Sequence, residues 1–198
     1  MDLLKTNSIQ KVLKIFSLVF LGTMALTLSA KLKIPFYPVP MTMQTLVVLF
    51  LGITLGWKLG VVTVMLYLFE GIIGLPVFSG SPEKGVGIVY FTGPTMGYLV
   101  GFLFTVYFAG KFHYDAIDLS SLLKNYTVVT NFIKNFLKLT IAISFIYIFG
   151  ILWLGALIGW EKPLFQLGVK PFLFAELFKV LIVLFSLSQL KKINQYLQ

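Results

Sequence analysis

The sequence predicts an all-α integral membrane protein in which six transmembrane helices form a single domain over residues 1–198. Three observations lead there. Apolar residues make up 58% of the chain and charged residues 12%, against about 45–50% and 25% in soluble domains. Too few polar side chains remain to cover a water-facing surface, and a mean hydropathy of +0.94 excludes intrinsic disorder as well. The apolar residues also fall into six runs, separated by lysines or by Pro/Gly loops. Finally, the formal charge of +9 comes from lysines that flank those runs rather than forming one stripe. That pattern reports membrane orientation, and no nucleic-acid partner is expected.

A spanning helix needs about twenty apolar residues, with a range of about 17–25. The first run is residues 12–30, preceded by Lys5 and Lys11 with Lys14 in its first turn. Leu28 stands where signal cleavage wants a small residue, so the run reads as an uncleaved helix. A loop with three prolines (Pro35, Pro38, Pro40) follows. The second run is 41–56 and the third 59–73; only Trp57 and Lys58 part them, which makes a helical hairpin. The third run rises about 22 Å, short of a hydrocarbon core of about 30 Å, so its end sits below the surface beside a cavity or protein. The glycines and prolines of 71–87 read as a loop capping that cavity. Gly93-Pro94 opens the fourth run, 94–110, with Pro suited to the first helical position. Residues 119–136 carry Leu119, Leu122, Leu123, Tyr126, Val129 and Ile133 at helical spacing, an amphipathic cytoplasmic segment. It leads into the fifth run, 139–160. The sixth is 171–190, opened by Pro171 and closed by Lys191 and Lys192.

Lysine placement orients the bundle. With the N-terminus inside, ten lysines fall on inner segments and five on outer loops. Both termini are therefore expected in the cytoplasm, with the three Pro/Gly-containing loops outside.

Catalytic chemistry finds little to use. There is no Cys and one His, His113, which removes thiolate nucleophiles, Cys metal sites and the common His-pair motifs. Walker A, HExxH and GxSxG patterns are missing. No catalytic residue, metal ligand or cofactor is expected, and the chain is read as not an enzyme.

The residues that stand out are polar groups in apolar runs. Glu176 and Lys179 form an i, i+3 pair on one face of the last helix, roughly 8–12 Å past Pro171. Ionisable groups inside a membrane are costly and normally face a bundle interior or ligand path; the pair reads either as a structural ion pair or as a ligand site. Glu70 ends the third helix, either as a site residue or as an interfacial carboxylate partnered by Lys84 or Lys31. Thr42 and Gln44 open the second helix. Tyr67, Tyr90, Tyr98 and Tyr147 offer stacking faces and hydroxyls. In the first helix Ala25 and Ser29 form a small-xxx-small pair that permits close helix approach.

Several motifs occur together and in order: Pro38-Val-Pro-Met-Thr-Met-Gln-Thr45, Tyr67-Leu-Phe-Glu-Gly71, Gly74-Leu-Pro-Val-Phe78, Gly93-Pro94 with Gly97-Tyr98 and Gly101-Phe102, and Pro171-Phe-Leu-Phe-Ala-Glu-Leu-Phe-Lys179. With these motifs the chain resembles the BioY family, the biotin-binding S-components of energy-coupling factor (ECF) transporters. The resemblance implies a multi-pass subunit of the bacterial inner membrane with an ECF S-component-like bundle and an outward-facing biotin site. It also implies a transmembrane coupling protein and cytoplasmic ATPases as partners, with biotin as ligand rather than cofactor. The family's last-helix motif usually carries Asp where this chain has Glu176. Its Ala-xxx-Ala docking motif corresponds here to Ala25-xxx-Ser29. The substrate-binding set expected on this basis is Glu176, Lys179, Gln44, Thr42, Glu70, Phe78, Tyr90 and Tyr98. The urea N–H groups of biotin suit the Glu176 carboxylate, and Lys179 suits either the valerate or the urea oxygen. The alternatives are the same fold carrying another small vitamin, or an integral membrane enzyme.

Overall fold

In a computed structural model, which describes residues 2–115, 117 and 126–197, the chain is built almost wholly of helices. In order they are α1 (Asp2–Lys31), α2 (Gln44–Ile72), α3 (Met96–Lys111), α4 (Tyr126–Ile158), α5 (Leu164–Gly168) and α6 (Leu173–Leu197). Four stretches are long and apolar enough to cross a membrane: Ile9–Lys31, Gln44–Ile72, Tyr126–Ile158 and Leu164–Tyr196. Met96–Lys111 is a shorter apolar helix.

The helix α2 is two arms. Gly56 breaks it at φ 74°, ψ 170°, a backbone region that is essentially glycine-only. The chain folds back there, because Gln44 Nε2 donates to the Tyr67 hydroxyl at 2.7 Å. In an unbroken helix these residues would lie roughly 35 Å apart. The hairpin expected at Trp57-Lys58 is thus present, with its turn one residue earlier. Against it packs α3, and α3 in turn meets α4 through Gly101. A Cβ at Gly101 would lie 2.5 Å from Ile146 Cα and 2.9 Å from Phe145 O, so no larger residue fits without parting the helices.

Other expected boundaries shift. Helix α1 starts ahead of residue 12, because the lysine-bearing N-terminus continues the helix. Tyr126 already begins α4, so the later part of the amphipathic segment is the first turns of that helix; residues 119–125 lie outside the described residues. Between the helices stand small elements that apolar periodicity does not signal. One is an antiparallel pair of two-residue strands, β1 (Lys33–Ile34) and β2 (Met41–Thr42), with Lys33 opposite Thr42. The others are 3-10 turns at Gly87–Thr92 and Lys170–Phe172.

Two apolar clusters fill the bundle. One, with Tyr67, Phe78, Tyr98 and Phe102, lies toward the end where α1 finishes and α6 begins. The other, with Leu139, Leu184 and Leu187, fills the opposite end. Outward faces carry Phe16, Leu28, Met65, Phe174 and Phe178, all exposed; such a surface suits hydrocarbon, not water. At the second end a short loop is clasped by polar side chains. Buried Asn135 bonds both backbone groups of Asp115, at 2.9 and 3.1 Å. Lys138 donates to His113 O at 2.6 Å and to Asp115 Oδ2 at 3.2 Å, and that hydrogen bond holds the Asp115 carboxyl below the ordinary carboxylate range. His113 itself is exposed.

Candidate functional site

At the end where α1 finishes, the loops 32–43 and 73–95 fold over the helices and leave a cleft. Its empty space is about 510 Å³, part of it open to solvent. Thr42 lines it from β2, and Gln44 and Thr45 line it from the start of α2. Phe78, Ser79 and Tyr90 come from the covering loop, Tyr98 from α3, Tyr147 from α4, Phe172 from the 3-10 turn ahead of α6 and Glu176 from the first turn of α6.

The walls are mostly aromatic. Phe78 is buried, stacks on Tyr90 at 4.7 Å and meets Tyr67 edge-on at 5.3 Å. Tyr98 meets Tyr147 edge-on at 6.1 Å, and Phe172 lies 6.1 Å from Tyr147. Most of their polar tips are engaged within the protein. The Tyr98 hydroxyl donates to Gly168 O at 2.9 Å, and the Tyr67 hydroxyl donates to Val77 O at 3.1 Å while accepting from Gln44. These bonds fix the rings as flat apolar surfaces, as buried Tyr requires.

The charged group in the wall is Glu176, 7% exposed. Its Oε1 accepts from Lys179 Nζ at 2.8 Å and from Thr45 Oγ1 at 3.0 Å. No hydrogen bond within 3.5 Å reaches its Oε2, the sole such buried side-chain oxygen or nitrogen among the described residues, although the Tyr147 hydroxyl stands beside the carboxylate. A buried acceptor left unmade costs about 1–3 kcal/mol, more when charged. Unmatched acceptors of this kind mark places where another molecule completes the bonding.

Lys179, expected as a ligand contact, bonds three groups of the protein itself. Its ammonium donates at 2.7 Å to Thr42 O, at 2.8 Å to Thr45 Oγ1 and at 2.8 Å to Glu176 Oε1. Those bonds use all three donors of a lysine, and Lys179 does not line the cleft. It stands behind Glu176 and ties α6 to the start of α2.

Thr42, Gln44, Phe78, Tyr90, Tyr98 and Glu176 of the expected set do come together in one cleft. Glu70 does not line it, and neither expected partner pairs with it: Lys31 donates to Phe78 O and Ser81 O, both at 2.8 Å, and no ion pair joins Glu70 to Lys84. Ala25 is half-buried, and Ser29 is 4% exposed and turned inward, bonding Leu26 O at 2.8 Å. That pair therefore presents no open stripe of small residues; the exposed face of α1 there is Leu21, Met24 and Leu28. Sequence reasoning missed Thr45, Ser79 and Phe172. Thr45 stood inside a quoted motif, but a threonine in an apolar helix usually bonds its own backbone, which hides a cross-helix role.

Comparison with known proteins agrees with this geometry. The sequence profile of the BioY family matches residues 4–196. The "Probable biotin transporter BioY" of Pyrococcus horikoshii is 31% identical over 163 residues, covering 82% of this chain and 87% of that one. The "Biotin transporter BioY2" of Lactococcus lactis subsp. cremoris is 30% identical over 185 residues, covering 90% and 91%. A crystal structure of the S-component for biotin from an ECF-type ABC transporter matches with a TM-score of 0.68 at 26% identity, over 92% of this chain and 93% of that one. By profile, relatives and fold together, the chain belongs to the BioY family.

Proposed function

We propose that this chain is the substrate-binding membrane subunit of a biotin uptake system and carries out no covalent chemistry. The observation that carries the reading is Glu176 Oε2, a buried, unpartnered carboxylate oxygen at the wall of an aromatic cleft. Biotin offers two urea N–H donors to such an acceptor, and charge-assisted hydrogen bonds of this type are about twice as strong as neutral ones. Its fused rings match the flat faces of Phe78, Tyr90 and Phe172, as most small-molecule sites pair apolar walls with few polar groups. Thr42, Gln44 and Tyr98 complete the wall, with Thr45 and Lys179 holding the carboxylate from behind.

The membrane arrangement follows the same reading. The break in α2 at Gly56 supports counting it as two arms, and with α1, α3, α4 and α6 that makes six proposed crossings. The lysine bias puts both termini in the cytoplasm and the cleft outside, in a bacterial inner membrane. With no nucleotide-binding motif in the chain, uptake against a gradient depends on an ECF coupling protein and cytoplasmic ATPases.

Radiolabelled biotin binding to the purified chain tests this directly. Glu176→Gln should weaken binding about ten- to a hundred-fold, the loss of one charge-assisted bond, and Glu176→Asp less. Saturable binding of a different vitamin with no binding of biotin would reject the ligand and keep the fold.

A further inference from the structure

With Lys179 saturated, the carboxylate of the ligand has no cation in the cleft wall itself. Two other lysines stand at its rim. Lys31 ends α1 and Lys33 sits in β1, and both reach over to the loop that covers the cleft. Lys31 Nζ donates to Phe78 O and Ser81 O, each at 2.8 Å. Lys33 Nζ donates to Ser79 O at 2.7 Å. Phe78 and Ser79 are themselves wall residues, so both ammonium groups bond the backbone of the cleft wall without themselves lining it.

We propose that Lys31 and Lys33 form the cationic end of the site and receive the ligand's carboxylate, a reading that rests on biotin as the ligand.

Three features of the rim support it. The first is donor supply. An ammonium has three N–H donors; Lys31 uses two and Lys33 one on backbone oxygens, so both retain donors that Lys179 lacks. The second is charge. The acidic partner here is Glu83, whose Oε2 lies 3.6 Å from Lys33 Nζ with its side chain 72% exposed. An exposed pair of that length is weak, and one carboxylate against two lysines leaves the rim positive. The third is acceptor strength. Both lysines now serve neutral carbonyl oxygens, and a carboxylate forms the stronger, charge-assisted bond. An arriving anion therefore gains from these lysines without needing a vacant site. Glu176 takes the N–H-rich end of the molecule and the rim lysines take its acid end, so orientation is set from both ends.

The test compares biotin with biotinamide, in which a neutral amide replaces the carboxylate, on the full-length purified chain. The wild type should prefer biotin about ten- to a hundred-fold. Lys33→Gln and the Lys31→Gln/Lys33→Gln pair should lower biotin affinity toward that of the amide, while biotinamide binding stays within about threefold. Lys33→Arg should keep the preference. Lys33→Gln alone, at a half-exposed position, reads the effect even if the double variant fails to fold. Equal binding of both ligands by the wild type overturns the proposal. So does an equal loss of both ligands in the variants, which would leave the lysines only pinning the loop, and so does an intact preference in Lys33→Gln. A wild type that binds neither ligand instead rejects biotin as the ligand, a result separate from any lysine effect.

Discussion

Replacing Lys179 by Met keeps the length of the side chain and removes its charge and three donors. Glu176 is then a buried carboxylate without a cation, left with Thr45 Oγ1 at 3.0 Å and the neighbouring Tyr147 hydroxyl, and Thr42 O loses its 2.7 Å partner. The two side chains are 4% and 9% exposed, so water screens almost none of the loss. Removing one member of a buried pair costs about 3–5 kcal/mol. Replacing both charges, with Lys179→Met and Glu176→Gln together, removes the stranded charge and should bring the protein back to within about 2 kcal/mol of native. Equilibrium unfolding in mixed SDS micelles, followed by circular dichroism, measures each step of the cycle. Biotin affinity of Lys179→Met should fall as well, since the carboxylate loses its anchor, but Lys179 acts through Glu176 and so stability must fall with it. A Lys179→Met protein of native stability that has lost biotin binding would refute the reasoning, because that pattern belongs to a direct ligand contact. A double variant no more stable than the single would refute it too.

Thr45→Val removes a donor to Glu176 Oε1 and an acceptor for Lys179, and should cost about 1–3 kcal/mol together with a measurable loss of biotin affinity in the same binding assay. Gly56→Ala should destabilise the hairpin by about 1–3 kcal/mol through backbone strain alone, because a Cβ there meets nothing nearer than Asn194 Nδ2 at 4.0 Å; an unchanged unfolding midpoint would contradict the assigned turn. The chain has no cysteine, so Glu83→Cys should label with an impermeant thiol reagent from outside and Lys58→Cys only after permeabilisation, and the reverse pattern would invert the orientation. Because Lys138 lowers the Asp115 carboxyl, its contribution is fully present above the usual value of about 3.9 and is lost as pH falls through the lowered one; Asp115→Asn should flatten that acid limb in a thermal-unfolding series.

The helices were readable because apolar runs and their breakers are local properties of a chain. Gly56 and the prolines mark where backbone must turn, and their neighbours confirm it within a few residues. Glu176 was readable for a related reason: a carboxylate amid Phe and Leu has few structural excuses. The ion pair of Lys179 with Glu176 was readable as one of two alternatives, but its other partners were not, because Thr42 and Thr45 are 137 and 134 residues away and an i, i+3 spacing says nothing of a third element. The same holds for the contacts of Lys31 and Lys33, which a count of outer-loop lysines cannot connect to a loop 47 and 46 residues onward. Strands of two residues fall below any periodicity, so the corner that places Lys33 opposite Thr42 left no trace.

The way Glu176 is held bears on how a ligand is captured. Freezing a flexible glutamate in one rotamer costs on the order of 1.5–2 kcal/mol of side-chain entropy. Here Lys179 and Thr45 hold Oε1, so in the proposed site the carboxylate is already ordered and that cost does not recur on association. Preorganisation of this kind raises affinity without adding a contact, and among related complexes such gains fall mostly on the dissociation rate. A subunit that collects a scarce nutrient and holds it until its partners act is served by slow escape more than by fast entry.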